Sequence, residues 1–281
     1  MTVQYLRAYQ LQILVNDTNY IVQDNRINFD IVKTSASESN TAVIKIYNLQ
    51  KEVYKRFQEN NAKIILKCGY VGQLSTQPLQ LLFSGDITHS YTTRQKADIV
   101  THIEAGDGNF NLTEKFTNRT FVKNKNLKEL LKLLIKDLDI SYNDLSLSHI
   151  DNNKKVNVAS DISVSGRTKE IIDNLIKTEG LEWSIQNNEF TIYSPDQSIN
   201  ENESVYVFNE DTGLLELKIK KDKKIEFTAL INSAVTPTKL IKIEDSLTDT
   251  NSFYKMERVT YSGDSFDGQW VMKCEGISND S

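Results

Sequence analysis

The stretch NTAVIKIYNLQKEVYKRF, Asn40–Phe57, changes its period halfway along. Up to Tyr47 the apolar side chains fall at every second residue, at Ala42, Ile44 and Ile46, the spacing of a strand with one buried face. Beyond Leu49 they fall four apart, at Val53 and Phe57, the spacing of a helix. A strand therefore hands over to a short helix almost without a loop, with Asn48 at the junction. Upstream, RINFDIV places Ile27, Phe29 and Ile31 on one face of an earlier strand.

Outward from this unit, residues 1–108 read as mostly β. Candidate strands are Leu6–Val15, Arg26–Lys33, Asn40–Tyr47, Ala62–Gly69, Leu79–Tyr91 and Ala97–Ala105, interrupted by a helix over Gln50–Glu59. Six strands and one short helix make a small barrel or sandwich. Residues 109–200 change character. NKNLKELLKLLIKDLDI is an amphipathic helix with Leu127, Leu130, Leu131, Leu134 and Leu138 on one stripe. SGRTKEIIDNLIKTEG is a second helix, with Ser165 or Thr168 to cap its start and Gly180 to end it. LEWSIQNNEFTIY is a hairpin turning at Asn187-Asn188. Together these form a compact α+β insert. Residues 201–281 return to β in VYVFNE, LLELKIK, KIEFTALIN, KLIKIED, FYKMERVTYSGD and QWVMKCEG. The fold class is thus α+β and predominantly antiparallel β.

There is an internal echo. DITHSYTTRQKADIVTHIEAGD ends the first β region and ERVTYSGDSFDGQWVMKCEGIS the second. Each is strand, polar turn and strand, closing on Glu and a small residue: Glu104-Ala105 and Glu275-Gly276. This suggests two related β domains around the insert.

A chain of 281 residues has room for two or three domains. Its 39% hydrophobic and 25% charged content supports a packed core and excludes global disorder. A net charge of −5 argues against a nucleic-acid binder with a basic footprint. Cys68 and Cys274 lie far apart, each inside an apolar strand-like run. They form neither a disulfide framework nor a zinc motif, and read as buried small hydrophobes in a protein made in a reducing compartment. MTVQYLRAYQ lacks the basic-then-apolar pattern of a signal peptide. The apolar cluster LKELLKLLI, broken by Lys128, Glu129 and Lys132, falls short of the roughly 20 apolar residues of a membrane span. A soluble intracellular product, or a piece of something assembled inside a cell, without membrane insertion is expected.

The search for chemistry returns little. No phosphate-cradling, zinc-protease or nucleophile-elbow motif is present. His89 and His102 lie in neighbouring strands of one hairpin, with Glu104 on the same face as His102. A metal site is one reading; half-buried surface histidines are the favoured one. Asp86, Glu104, Asp107 and Asp264 lie near turns. Paired carboxylates could hydrolyse glycans, but no spacing singles out a pair, and local hydrogen bonding accounts for acidic turn residues. LKIKKDKKIEF gathers Lys218, Lys220, Lys221, Lys223 and Lys224, either a patch for an acidic partner or a solvated hairpin tip guarding a β edge. Trp183 and Trp270 read as core residues. No enzyme, cofactor or metal ion is expected, and the chain reads as a scaffold.

Three stretches in this order resemble the baseplate hub proteins of contractile-tailed bacteriophages. RINFDIVKTSASESNTAVIKIYNLQKEVYKRF carries the pattern of an inner strand with Phe29, then Ser39-Asn40, an alternating strand ending in Tyr47-Asn48-Leu49, and a short helix. VSGRTKEIIDNLIKTEGLEWSIQNNEFTIY is similar to the hub helix followed by a Trp-containing hairpin. FYKMERVTYSGDSFDGQW is similar to the closing hairpin, although Tyr261 stands where a His is common and Met256 where a Val or Ile is. Pro237 also lacks the Gly of the family's Pro-Gly-Asp turn. The resemblance implies two tail-tube-like β-barrel domains, residues 1–108 and 201–281, with the 109–200 insert between them. It implies a homotrimeric ring of pseudo-sixfold symmetry joining a hexameric tail tube to a trimeric central spike, in a virion baseplate assembled in the host bacterial cytoplasm. Tape measure and wedge proteins are further partners, and DNA passes only transiently through the channel. Because the sequence closes soon after the last hairpin, a separate spike protein is expected. Phe29, Ala42, Ile44 and Ile46 are expected in a barrel core, Val53 and Phe57 docking the helix, and Thr41, Val43, Lys45 and Tyr47 facing the lumen or a neighbour. A carboxylate-lined lumen would keep DNA sliding. The competing readings are a tail-associated cell-wall hydrolase and a hub or tube adaptor of a related contractile injection or secretion system.

Overall fold

The computed structural model describes residues 6–16, 18–57, 62–71, 79–121, 126–142, 147, 150, 162–195 and 205–278. The first β region comprises β1 (Leu6–Val15), β2 (Thr18–Val22), β3 (Ile27–Thr34), β4 (Thr41–Tyr47), α1 (Lys51–Arg56), β5 (Lys63–Val71), β6 (Gln80–Gln95) and β7 (Asp98–Gly106). The insert follows as α2 (Asn109–Glu114), β8 (Phe116–Phe121), α3 (Leu127–Leu138), β9 (Ser141–Tyr142), β10 (Ile162–Arg167), α4 (Thr168–Thr178), β11 (Glu182–Gln186) and β12 (Glu189–Tyr193). The last region holds β13 (Tyr206–Phe208), β14 (Leu214–Ile219), β15 (Lys224–Leu230), β16 (Leu240–Asp245), β17 (Thr250–Asp264) and β18 (Trp270–Ser278). The fold is mostly antiparallel β; β9 with β12 and β13 with β16 are parallel pairs.

The opening stretch is built as its period dictates. Ala42, Ile44 and Ile46 are buried and pair across to Ile31, Phe29 and Ile27 on β3. Asn48 then adopts a left-handed conformation (φ +54°), which Asn tolerates better than most residues. Its side chain grips the start of β7, donating to Asp98 Oδ1 (2.9 Å) and accepting from the Ile99 N–H (2.9 Å). The expected Gln50–Glu59 helix is shorter, Lys51–Arg56, because Phe57 turns inward and is buried beside half-buried Val53. Glu59 lies outside the described residues.

In the insert, α3 buries Leu127, Leu130, Leu131, Leu134 and Leu138, and Asn126 caps it by accepting from the Lys128 and Glu129 N–H groups. The expected cap of the second helix is corrected. Neither Ser165 nor Thr168 caps α4: Ser165 lies within β10, and the buried Thr168 hydroxyl bonds Thr117 (2.9 Å) instead. Gly180 takes the left-handed conformation (φ +68°) just past the helix end. β2, α2, β8 and β10 had no sequence counterpart; their short or polar runs lack a clear period. Trp183 is buried in the insert, stacked on Phe190 (4.8 Å) and donating to Asp173 (2.8 Å). The apolar cluster it belongs to shares no residue with the cluster that fills the main sheet.

The main sheet has 13 strands and repeats one strand order twice. The first set runs β3-β4-β7-β6-β5-β1 and the second β14-β15-β18-β17-β16-β13. The echo seen in the sequence falls on equivalent geometry. β6 bulges between Ile87 and His89, opposite Ala105 and Glu104. β17 bulges between Met256 and Arg258, opposite Gly276 and Glu275. The sets differ in their last pair, since β1 is antiparallel to β5 and β13 parallel to β16. They are joined strand to strand by β3 on β17, and one apolar cluster spans both.

That joint explains the closing motif. Phe29 lies opposite Gly263 on β17, where an added Cβ would sit 2.3 Å from the Phe29 ring and 2.9 Å from Trp270. Glycine lets Phe29 meet Trp270 edge to face at 5.3 Å. Asp264 next to it holds Arg26 at 2.7 Å and accepts the Phe266 N–H (3.0 Å), fixing the turn into β18. The departures from the family pattern also find contacts. Tyr261 is buried and donates to the Val235 carbonyl, and the Met256 side chain fills the space over Gly276. Thr238, after Pro237, takes a left-handed φ of +72°, a conformation glycine adopts without strain. We expect Gly263→Ala to destabilise the fold by about 2–3 kcal/mol through overpacking. Phe29→Leu in the same chain should return part of that loss, and urea unfolding of the two singles and the double measures the coupling.

Candidate functional site

The two sets place eight strands, β14-β15-β18-β17-β3-β4-β7-β6, in one continuous run with a core face and a solvent face. Residues between the buried positions line the solvent face. Asp30, Glu104, Glu226 and Glu275 are interleaved there with Lys45, Lys218, Arg258 and Lys273. Thr41, Val43, Lys45 and Tyr47 all lie on this face, exposed or half-buried. The face carries charges of both signs. The lysine-rich segment forms the β14–β15 turn, with Asp222 and Lys223 both at positive φ and Lys220 paired to Glu226.

The residues weighed for chemistry do not converge. His89 lies opposite Glu104, whereas His102 lies opposite Tyr91 and stacks on its ring at 4.5 Å. Burial, with Lys45 beside it, holds the His102 imidazole below its ordinary pKa. Asp86 pairs with Lys63 and Asp264 with Arg26. Among the described residues no three His, Cys, Asp or Glu side chains group as metal ligands. Phe29, Ala42, Ile44, Ile46, Phe57, Trp183 and Trp270 are all buried, Val53 half-buried. Trp270 Nε1 is buried with no hydrogen-bond partner among the described residues.

Asp107 has a role the sequence did not reveal: it locks the insert to the sheet. Its carboxylate accepts the backbone N–H of Asn187 (2.5 Å) and of Asn188 (2.6 Å), the two positive-φ residues of the β11–β12 turn. Asn40, of the Ser39-Asn40 motif, donates to the Ile185 carbonyl (2.7 Å) and to Gln186 Oε1 (3.2 Å) while accepting the Thr34 N–H (2.9 Å). Lys33, on the core face of β3, reaches Asn187 Oδ1 (2.8 Å). Lys255 donates to the carbonyls of Ser194 (3.1 Å) and Pro195 (2.6 Å), and Tyr193 to that of Ser35. A fully buried carboxylate persists only with such partners. Burial pushes the Asp107 carboxyl above its ordinary range, and Lys33 with the hydrogen bonds pulls it partly back.

Burial lowers the Lys33 ammonium to about 8 from its ordinary 10.5, against the pull of Asp107. Between those values the unfolded chain binds a proton that the fold does not, so Lys33 makes stability rise with pH across that window. Relative to Lys33→Met, the wild type should gain on the order of 3 kcal/mol from pH 8 to 10.5, read by urea unfolding at stepped pH. Equal slopes in the two proteins would count against this assignment.

With this geometry in view, the comparisons converge. A crystal structure of the 43 kDa tail protein of prophage MuSo2 from Shewanella oneidensis superposes with a TM-score of 0.66 at 10% identity, covering 97% of this chain and 99% of that one. The tail protein from Neisseria meningitidis gives 0.64 at 8% identity, with 96% of each chain covered. The E. coli c3393 protein, a type VI secretion component described as similar to the T4 tail proteins gp27 and gp5, gives 0.58 at 10% identity over 95% of this chain and 76% of that one. At such identities these matches establish the fold, that of phage tail proteins. No curated protein matches the chain by sequence. The baseplate hub gp41 family matches residues 10–276, and the chain belongs to that family.

Proposed function

We propose that this chain is the structural hub of a contractile phage baseplate, with each six-strand set acting as one tail-tube-like barrel domain and the insert set between them. Three chains then present six equivalent units, so a ring of them joins a hexameric tail tube above to a trimeric spike below. The observation that carries this reading is the strand order repeated within one chain, down to the bulge opposite Glu104 and Glu275. Duplication is what lets threefold symmetry meet sixfold.

In this reading the solvent face of the eight strands lines the channel for DNA and the tape measure protein. Its alternating charges offer no continuous basic track, so phosphates find nowhere to bind tightly. The chain acts by shape, without catalysis, cofactor or metal, in the virion baseplate after assembly in the host cytoplasm. Wedge proteins contact the outside of the ring. The fold is also shared with a type VI secretion component, so gene neighbourhood separates phage tail from injection system.

Light scattering on the purified protein, with and without its candidate spike, tests the reading. The expected mass is three times the 32.1 kDa chain, alone or with three spike chains added. A persistent monomer that ignores the spike overturns it.

A further inference from the structure

Lys33 and Asn187 lie 154 positions apart in sequence, yet Lys33 Nζ donates to Asn187 Oδ1 at 2.8 Å. That contact sets a primary amine against the carbonyl of a carboxamide. Lys33 is 1% exposed, and the Tyr261 ring walls its nitrogen at 6.0 Å. As an ammonium it would bring three donors, and among the described residues Asn187 Oδ1 is the only hydrogen-bond acceptor it meets. Lys255, also buried, meets two carbonyl oxygens, those of Ser194 and Pro195. An under-bonded buried ammonium is costly, and burial moves Lys33 toward its neutral, nucleophilic form. Asp107 is the charged group that faces Lys33. It is fully buried, and burial moves its carboxyl toward the protonated form. It also holds the amide in place, since it accepts the backbone N–H of Asn187 (2.5 Å) and of Asn188 (2.6 Å). A nucleophile, a carboxamide and a buried proton carrier thus meet in one spot.

We propose that Lys33 and Asn187 form an intramolecular isopeptide bond, which makes the joint between insert and sheet covalent. The lone pair of Lys33 Nζ adds to Asn187 Cγ, and the Cγ–Oδ1 π pair moves onto the oxygen. The added nitrogen gives up one proton to the Asp107 carboxylate, and Asp107 passes it to the departing Nδ2. The Cγ–Nδ2 bond breaks, the oxygen pair re-forms the carbonyl, and one ammonia leaves. One C–N bond forms and one breaks with no change of oxidation state, so the step needs no oxidant or cofactor. Held against the amide by the fold, the amine reacts as an intramolecular group, and such placement removes much of the barrier. Asn187 is half-buried, which leaves the ammonia a way out to water. Its dilution there makes the step one-way. The new bond replaces a hydrogen bond already made, so the fold need not rearrange. It closes a loop across 154 positions and so restricts the unfolded chain. The titration of Lys33 belongs to the unlinked chain, since an amide nitrogen binds no proton in that range.

Intact-mass measurement on the purified full chain tests the bond. The wild type should be lighter than its sequence by one ammonia, and Lys33→Arg should match its own sequence mass. Trypsin should leave Lys33 uncut and release residues 27–45 joined to residues 178–218. Asp107→Asn should slow linking by about 100-fold, leaving most of that variant unlinked at purification while its circular dichroism matches the wild type. A folded wild type at its full sequence mass, cut by trypsin at Lys33, overturns the bond. So does an ammonia loss confined to the 178–218 peptide, the mark of a succinimide at Asn187-Asn188. Complete linking in Asp107→Asn overturns the part given to Asp107.

Discussion

The structure turns on one absence of side chain. Gly263 leaves room for the Phe29 ring on β17, and that ring, edge to face with Trp270, joins strands from the two ends of the chain. Everything else in the main sheet is arranged around this seam. β3 and β4 carry the seam into the first strand set, and β17 and β18 carry it into the second. One apolar cluster runs through both. The seam pairs residues far apart in sequence, so forming it costs the entropy of closing the long chain segment between them.

The insert is attached by the opposite kind of chemistry. Its apolar cluster is its own, and its hold on the sheet is a set of buried polar bonds centred on Asp107, Asn40 and Lys33. Apolar contacts tolerate sliding, but a carboxylate with two N–H donors at 2.5 and 2.6 Å does not. Such a joint fixes orientation more than it adds stability, since the desolvation of Asp107 and Lys33 offsets much of what their bonds contribute.

Duplication places the seam between two matching strand sets. The second strand set offers its β17 to the first, and among the described residues the equivalent half of β6 pairs with β7 alone.

Much of this was legible in the residues. Alternation fixed β3, β4 and their shared face, and helical spacing fixed α3 and its buried leucines, because burial on one side imposes a period that the sequence must carry. The order of motifs pointed to the hub family, and the Glu104-Ala105 and Glu275-Gly276 echo pointed to two related β regions, while the bulges opposite these residues are visible only in the structure. β2, α2, β8 and β10 were not legible, since short elements with polar faces are held by tertiary contacts and leave no period. The cap at Ser165 or Thr168 failed for the same reason: the Thr168 hydroxyl had a partner in Thr117, far away in sequence. Above all, only the tertiary structure could show Asp107 as a lock or Gly263 as a seat for Phe29. A local sequence states which faces are apolar, but which distant groups meet on them is decided by packing.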